Sequence, residues 1–398
     1  MNTRILELAQ ENAQHQIELR RTIHMHPELG SEEFETGKVI EQELKALGIE
    51  VRRGYAGTGL VGLIHGEKGP GKTILIRADM DALPMEELGD TPYRSRVSGK
   101  AHMCGHDSHT ATLLGAAYIL SKLKSEFAGT VKLCFQPAEE ASEGGAQAMV
   151  EDGVLQDPPV DFAIGMHVSP SQTVGKVAIE PGPITSYPDF FSFKYIGKGG
   201  HGSFPCKSND PILPLVEAYQ MIQGITKRVS PLEPAVVQIC TLNAGTAEAV
   251  IPDSGYALGT VRTHHKHNRE IIRTELERIV RQVAEIYQVQ YEFKYRGRCF
   301  PVQNDPEMVP FVRESVADIF EDGFFSDESM KIGGEDYCFI SEHVPSVFMI
   351  VGSSDGTPET QYPLHNPYFR LDERVMQKGS MAFATIAMDY LNGKYEKN

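Results

Sequence analysis

The chain has 398 residues and six cysteines, none of them in a CxxC pair, and it carries no long basic run. Nor does any apolar stretch approach the roughly 18 residues that a membrane span needs. Each absence excludes a class of function. Without a basic run, and with a net charge of −16, phosphate-driven nucleic-acid binding is not expected. Without an apolar span, no membrane role is expected. The N-terminal stretch MNTRILELAQENAQ lacks the apolar core of a signal peptide, so a cytoplasmic location is expected, with its cysteines as free thiols. Cys134 and Cys240 sit in apolar, strand-like runs and read as small core residues.

What the chain does contain is enough length for two domains. Apolar periodicity predicts helices over 3–26, 32–47 and 110–124, the last entered through Asp107 or Ser108 as cap. Strands are predicted over 59–65, 73–78, 130–135, 162–166 and 346–351. Between the first two strands, Gly66, Gly71, Lys72 and Thr73 match the phosphate-loop pattern G-x-x-x-x-G-K-[ST]. A phosphate loop needs a following helix, and here Ile74-Leu75-Ile76 follow, so a turn between strands is expected. From about 185 the pattern becomes strand, helix, strand, strand, helix, strand, the ferredoxin-like order. The expected division is therefore a catalytic α/β domain of 1–184 and 297–398, with mixed sheet and flanking helices. An inserted α+β domain spans 185–296.

The chemistry gathers at predicted strand ends. Residues 101–109 read Ala-His-Met-Cys-Gly-His-Asp-Ser-His, and a thiol with imidazoles in so short a space suits a metal, or a polar loop that caps the next helix. Asp79 and Asp81 end the strand before it, two apart and so on one face. Glu139 and Glu140 follow the strand over 130–135, His167 follows the next, and His365 lies between prolines. Cys104, His106, Glu140, His167 and His365 exceed the three protein ligands that one catalytic zinc keeps, which makes a two-metal site the economical reading. Two metals polarise a carbonyl and generate hydroxide near neutral pH. Glu139 then serves as general base, and Asp79 or Asp81 orients a ligand histidine.

These stretches identify a resemblance that runs over nearly the whole chain. HPELGSEEFET at 26–36, RADMDALP at 77–84, HMCGHDSHT at 102–110, QPAEE at 136–140 and GKGGHGS at 197–203 carry it, with IPD…GTVRT, GGED and LHNP further on. The chain is similar to the hippurate hydrolase and N-acyl-amino-acid amidohydrolase branch of the co-catalytic metallopeptidases, the clan of carboxypeptidase G and aminoacylase. The resemblance implies that Cys104, His106, Glu140, His167 and His365 hold two divalent ions (manganese or zinc, with cobalt or nickel as options) and that Glu139 is the general base. It implies a catalytic aspartate in RADMD, at Asp79 or Asp81. It further implies that His201 polarises the scissile carbonyl, that Arg262 grips the substrate carboxylate, and that the insert is a lid and homodimer surface. Ala249 stands where that branch carries asparagine. The expected activity is hydrolysis of N-acyl amino acids, acetyl or benzoyl, as small-molecule substrates. Dipeptidase, carboxypeptidase-like or N-acetyl-diaminopimelate deacetylase activity is the alternative, and a catalytically idle metal-binding sensor is the reading from another class.

Overall fold

The computed structural model describes residues 2–141, 144–233, 235–326 and 331–395. The chain divides into two compact units. The first comprises Met1–Ile184, Val302–Asp327 and Glu335–Asn398, and the second Thr185–Pro301 and Glu328–Gly334.

The first unit opens with α1 (Thr3–Met25) and α2 (Phe34–Ala46), followed by β1 (Glu50–Tyr55), β2 (Gly59–His65) and β3 (Thr73–Asp79). Then come α3 (His106–Lys122), β4 (Thr130–Gln136), α4 (Gly145–Glu151), β5 (Phe162–Thr173), β6 (Lys176–Ala178) and β7 (Gly182–Pro183). The second unit holds β8 (Tyr187–Ile196), β9 (Gly200–His201), α5 (Ile212–Ile222), β10 (Val236–Ala244) and β11 (Val250–Ile251). It continues with β12 (Ser254–Thr263), α6 (Lys266–Tyr287) and β13 (Gln290–Arg296). The chain returns to the first unit through β14 (Gln303–Asn304), α7 (Met308–Val316), β15 (Gly323–Phe324), β16 (Ser346–Ser354) and a C-terminal helix, Arg374–Leu391.

The first unit is built on a mixed eight-stranded sheet, ordered β1-β2-β4-β3-β5-β16-β6-β15. At its centre β4, β3, β5 and β16 run parallel. Strands covered on both faces read as continuous apolar runs, and β3 (TILIRAD) and β4 are buried at every position. Ile74, Ile76, Leu113, Leu120, Phe162, Val347, Met349 and Phe383 belong to one core. Each such side chain contributes ~1.5–3 kcal/mol on burial. Gln16 of α1 stitches three helices together by donating to the Ala111 and Met376 carbonyls and to Ser380 Oγ.

The second unit is a four-stranded antiparallel sheet ordered β10-β12-β8-β13, and α5 and α6 pack with it around a separate core. That is the strand order of the ferredoxin-like arrangement.

Several expectations are corrected. Cys240 is exposed rather than core, because β10 buries Val237 and Ile239 on one face and Cys240 falls with Val236 and Gln238 on the other. Strand β1 had no sequence signal, since its EVRRGY is half exposed. Residues 66–72 connect β2 directly to β3 without a helix, as the apolar run after Thr73 indicated. Helix α3 begins at His106 rather than 110, and its N-cap is Gly105, not Asp107 or Ser108. Gly105 has φ +92, and a Cβ there would lie 2.7 Å from Val168 Cγ2, so glycine is required on both counts. No helix among the described residues is long and apolar enough to cross a membrane.

Candidate metal centre

The parallel strands deliver their C-terminal ends to one rim, where sites of open α/β sheets form. Asp79 ends β3, and the turn after it supplies Asp81. Helix α3 starts at His106, so Cys104 and His106 flank its glycine cap. Glu139 and Glu140 follow β4, and His167 lies inside β5, which extends beyond the expected 166. His365 arrives from the loop after β16 with φ +64, its N–H donated to the Met103 carbonyl at 2.8 Å.

The side chains converge. Cys104 Sγ is 3.4 Å from His167 Nε2 and 3.3 Å from His365 Nε2, and the latter is 2.9 Å from Glu140 Oε1. Ligand atoms of Cys104, His106 and His167 lie within 4.8 Å of one another, as do those of Cys104, Glu140 and His365. The two triads share the thiol and together use all five residues.

Their orientations fit a cation. His167 donates from Nδ1 to the Val168 carbonyl at 2.8 Å, and burial lowers its pKa to about 3. The ring is therefore neutral, with the Nε2 lone pair turned to Cys104. His106 points Nδ1 at the Asp81 carbonyl and carboxylate, at 3.1 and 3.2 Å, which leaves Nε2 buried with no hydrogen-bond partner among the described residues. An orphaned buried imidazole nitrogen is costly unless something accepts its lone pair. Burial raises the Cys104 thiol well above its usual range, so a bound cation is what would make it a thiolate. Glu140 is held at about pKa 2: burial opposes ionisation, but His365 and His106 outweigh it. The donor set of thiol, three imidazoles and a carboxylate suits zinc or manganese-type ions.

The neighbouring residues hold this set in place. Asp79 accepts from His109 Nδ1 at 2.6 Å and sets its other oxygen 3.7 Å from His106 Nε2, while His109 Nε2 accepts the Val168 N–H at 3.1 Å. Asp81 touches two of the five, His106 through Oδ1 and the Glu140 N–H through Oδ2 at 2.9 Å. Asp107 at the start of α3 pairs with Arg20 Nε at 2.6 Å and His24 Nδ1 at 2.8 Å, tying the ligand stretch to α1.

Glu139 is buried, and the Asp336 N–H donates to its Oε1 at 3.3 Å. Burial, then the charges of Glu335, Glu140 and Asp336, push its pKa well above 4.5. Arg77 counters that negative charge from beneath. Its guanidinium, fully buried, donates to Gln136 at 2.7 Å, Asp79 at 2.8 Å and Asp336 at 3.0 Å, and pairs with Glu335 at 3.0 Å. Sequence reasoning missed this hub, although a charged residue inside TILIRAD was a signal that it must find acids.

His201 and Arg262 belong to the second unit. His201 is exposed on β9 with Nδ1 accepting the Ser203 N–H at 3.1 Å. Arg262 is half-buried on β12. It donates to the Asp189 and Val261 carbonyls and to Thr260, stacks on Phe190 at 5.3 Å, and has no carboxylate side chain paired to it among the described residues.

The pattern of peptidase family M20/M25/M40 matches residues 75–389. Thermostable carboxypeptidase 2 of Saccharolobus solfataricus is 38% identical over 380 residues, 94% of this chain and 95% of its own length. N-acetylcysteine deacetylase of Bacillus subtilis is 37% identical over 374 residues, covering 94% and 96% respectively. Among solved structures, the YXEP protein of Bacillus subtilis, described as a dinuclear metal binding peptidase, superposes with a TM-score of 0.81 at 34% identity, over 96% of this chain and 99% of that one.

Proposed function

The chain belongs to peptidase family M20/M25/M40 and is a metal-dependent amide hydrolase, and we propose that it cleaves N-acyl amino acids to a carboxylic acid and a free amino acid. The observation that carries this reading is Glu139, a buried carboxyl beside five convergent metal donors. Divalent cations held by Cys104, His106, Glu140, His167 and His365 supply Lewis-acid polarisation of the carbonyl and lower the pKa of water.

The protein's part is proton handling and orientation. Water adds to the carbonyl carbon as Glu139 takes its proton; Glu139 then gives that proton to the nitrogen as the C–N bond breaks. Between the two aspartates we assign the orienting role to Asp81, because it fixes His106 and the Glu140 backbone together; Asp79 serves His109 and Arg77. On the family resemblance, Arg262 grips the substrate carboxylate in a fork of N–H donors and His201 polarises the scissile carbonyl. The second unit serves as lid and homodimer surface in this proposal. The apolar Ile212, Leu213, Val216 and Tyr219 exposed along α5, and the edge position of β10, support it. The metals are zinc or manganese and the location cytoplasmic.

Glu139→Gln tests the mechanism. Losing a general base lowers kcat by about 10²–10⁴ while metal content stays at the parent level; near-full activity with metal bound would sink it. The carboxypeptidase relative, as similar as the deacetylase, favours a second reading as a peptidase releasing a C-terminal amino acid. A panel of N-acetyl and N-benzoyl amino acids against dipeptides separates the two.

A further inference from the structure

Glu33 lies immediately before α2, is fully buried, and faces no cation among the described residues. The partners of its side chain among the described residues are neutral: Oε2 meets the Thr58 hydroxyl at 2.6 Å, and Oε1 accepts the backbone N–H of Ala138 at 2.8 Å. Burying a carboxyl against neutral donors alone is expensive, so its persistence calls for something it accomplishes.

What it grips is the residue before Glu139. Ala138 has φ +56, the left-handed region that a Cβ-bearing residue rarely adopts. That conformation decides where Glu139 points, since the next peptide turns with it. The Ala138 carbonyl is held as well, by the Gly145 N–H at 3.0 Å, and a Cβ at Gly30 would lie 3.0 Å from Ala138 Cα. The 28–33 segment therefore packs directly under this peptide. On the far side of Glu139, the Glu140 N–H is taken by Asp81 Oδ2 at 2.9 Å. Two buried carboxyls thus take the backbone N–H groups on either side of Glu139.

We propose that Glu33 is a positioning residue for Glu139: by accepting the Ala138 N–H it holds the left-handed turn that aims the general base. The role of Glu33 rests on the amidohydrolase reading of Glu139. Without that acceptor, Ala138 relaxes to ordinary backbone geometry and the Glu139 carboxyl shifts away from its working place. A misplacement of about 1 Å costs on the order of 100-fold in rate while leaving substrate binding largely intact.

The test compares Glu33→Ala, Glu33→Gln and Glu33→Asp in the metal-loaded full chain, on whichever amide of the substrate panel the parent cleaves. Glu33→Ala is expected to lower kcat about 100-fold with KM within about 3-fold. Glu33→Gln keeps an oxygen for the Ala138 N–H and a second group for Thr58, so kcat stays within about 5-fold. Glu33→Asp folds with its acceptor drawn back by one methylene and loses about 10-fold, which keeps the idea testable if the alanine variant does not fold. Metal-binding isotherms keep the parent stoichiometry in all three. A folded, metal-loaded Glu33→Ala or Glu33→Asp with parental kcat overturns the inference, as does an equal loss in the alanine and glutamine variants. A parent inert toward every amide in the panel overturns the amidohydrolase reading beneath it.

Discussion

Replacing Arg77 by methionine should be among the most damaging single changes in the first unit. The guanidinium is fully buried, and three carboxylates share it: Asp79, Glu335 and Asp336. Burial acts against its charge, and Glu335, Asp79 and Asp336 outweigh that, holding its pKa well above the ordinary arginine range. At an effective dielectric of ~20, two unit charges about 4 Å apart attract by ~4 kcal/mol gross, a floor for each of these closer contacts. Desolvation cancels much of this, and breaking a buried pair by removing one partner costs ~3–5 kcal/mol net. Methionine matches the stem but leaves the acids uncompensated, so a loss of ~4 kcal/mol is expected, about a quarter to four fifths of a typical stability of ~5–15 kcal/mol. Urea unfolding of the metal-loaded parent and variant measures it directly. Adding Asp336→Asn should recover part of the loss. Asp336 already has a pKa raised to about 7 by burial, with Arg77 opposing and Glu335 adding to the rise, so its neutral amide analogue is tolerated. A loss below ~1 kcal/mol, or no recovery in the double variant, would refute the account of Arg77 as the counter-charge.

Other expectations are smaller in scope. Raising a metal that binds the Cys104 site to about 100 times its Kd should stabilise the folded chain by ~2.7 kcal/mol; a melting midpoint indifferent to metal over a hundredfold range contradicts the site. Burial raises the folded-state pKa of Glu33 above 4.5, with its Thr58 and Ala138 hydrogen bonds opposing. A carboxyl raised on folding binds its proton more tightly in the native state. Its contribution is therefore largest below about pH 4.5 and is lost as pH climbs through the folded value. The stability of Glu33→Gln relative to the parent should consequently increase with pH above that point, and a flat difference from pH 4 to 8 argues against it. Arg262→Met should raise KM and lower kcat/KM by about 10–150-fold, the worth of a charge-assisted hydrogen bond of ~1.5–3 kcal/mol. An unchanged KM toward substrates with a free carboxylate would remove Arg262 from that role.

The motif ends of the strands were legible because the local code for them is strong. TILIRAD and TVKLCFQ announce strands buried on both faces, and the residues that follow such strands fall at one rim by topology alone. The cap of α3 was misread because Asp107 and Ser108 have the chemistry of caps. Gly105 won by conformation, and Asp107 was drawn instead to Arg20 and His24 on α1, 83 and more residues away in sequence. Cys240 was misread because an apolar run does not say which of its two faces is buried, and in β10 that face is the one of Val237 and Ile239.

Sequence by itself determined which residue types stand at the rim: Cys104, His106, Glu139, Glu140, His167 and His365 are read from spacing, strand ends and prolines. Tertiary structure alone decided their partners. It divided the hydrogen bonds of the two aspartates, giving Asp79 those of His109 and Arg77 and Asp81 those of His106 and the Glu140 backbone, with Asp79 also 3.7 Å from His106 Nε2. It gathered Glu335 and Asp336 beside Glu139, and it placed Glu33 under Ala138 across more than 100 residues of chain. The physical reason is range. Period and propensity act over a few residues, whereas a buried hydrogen bond is specified only once distant elements have packed and water has been excluded from between them.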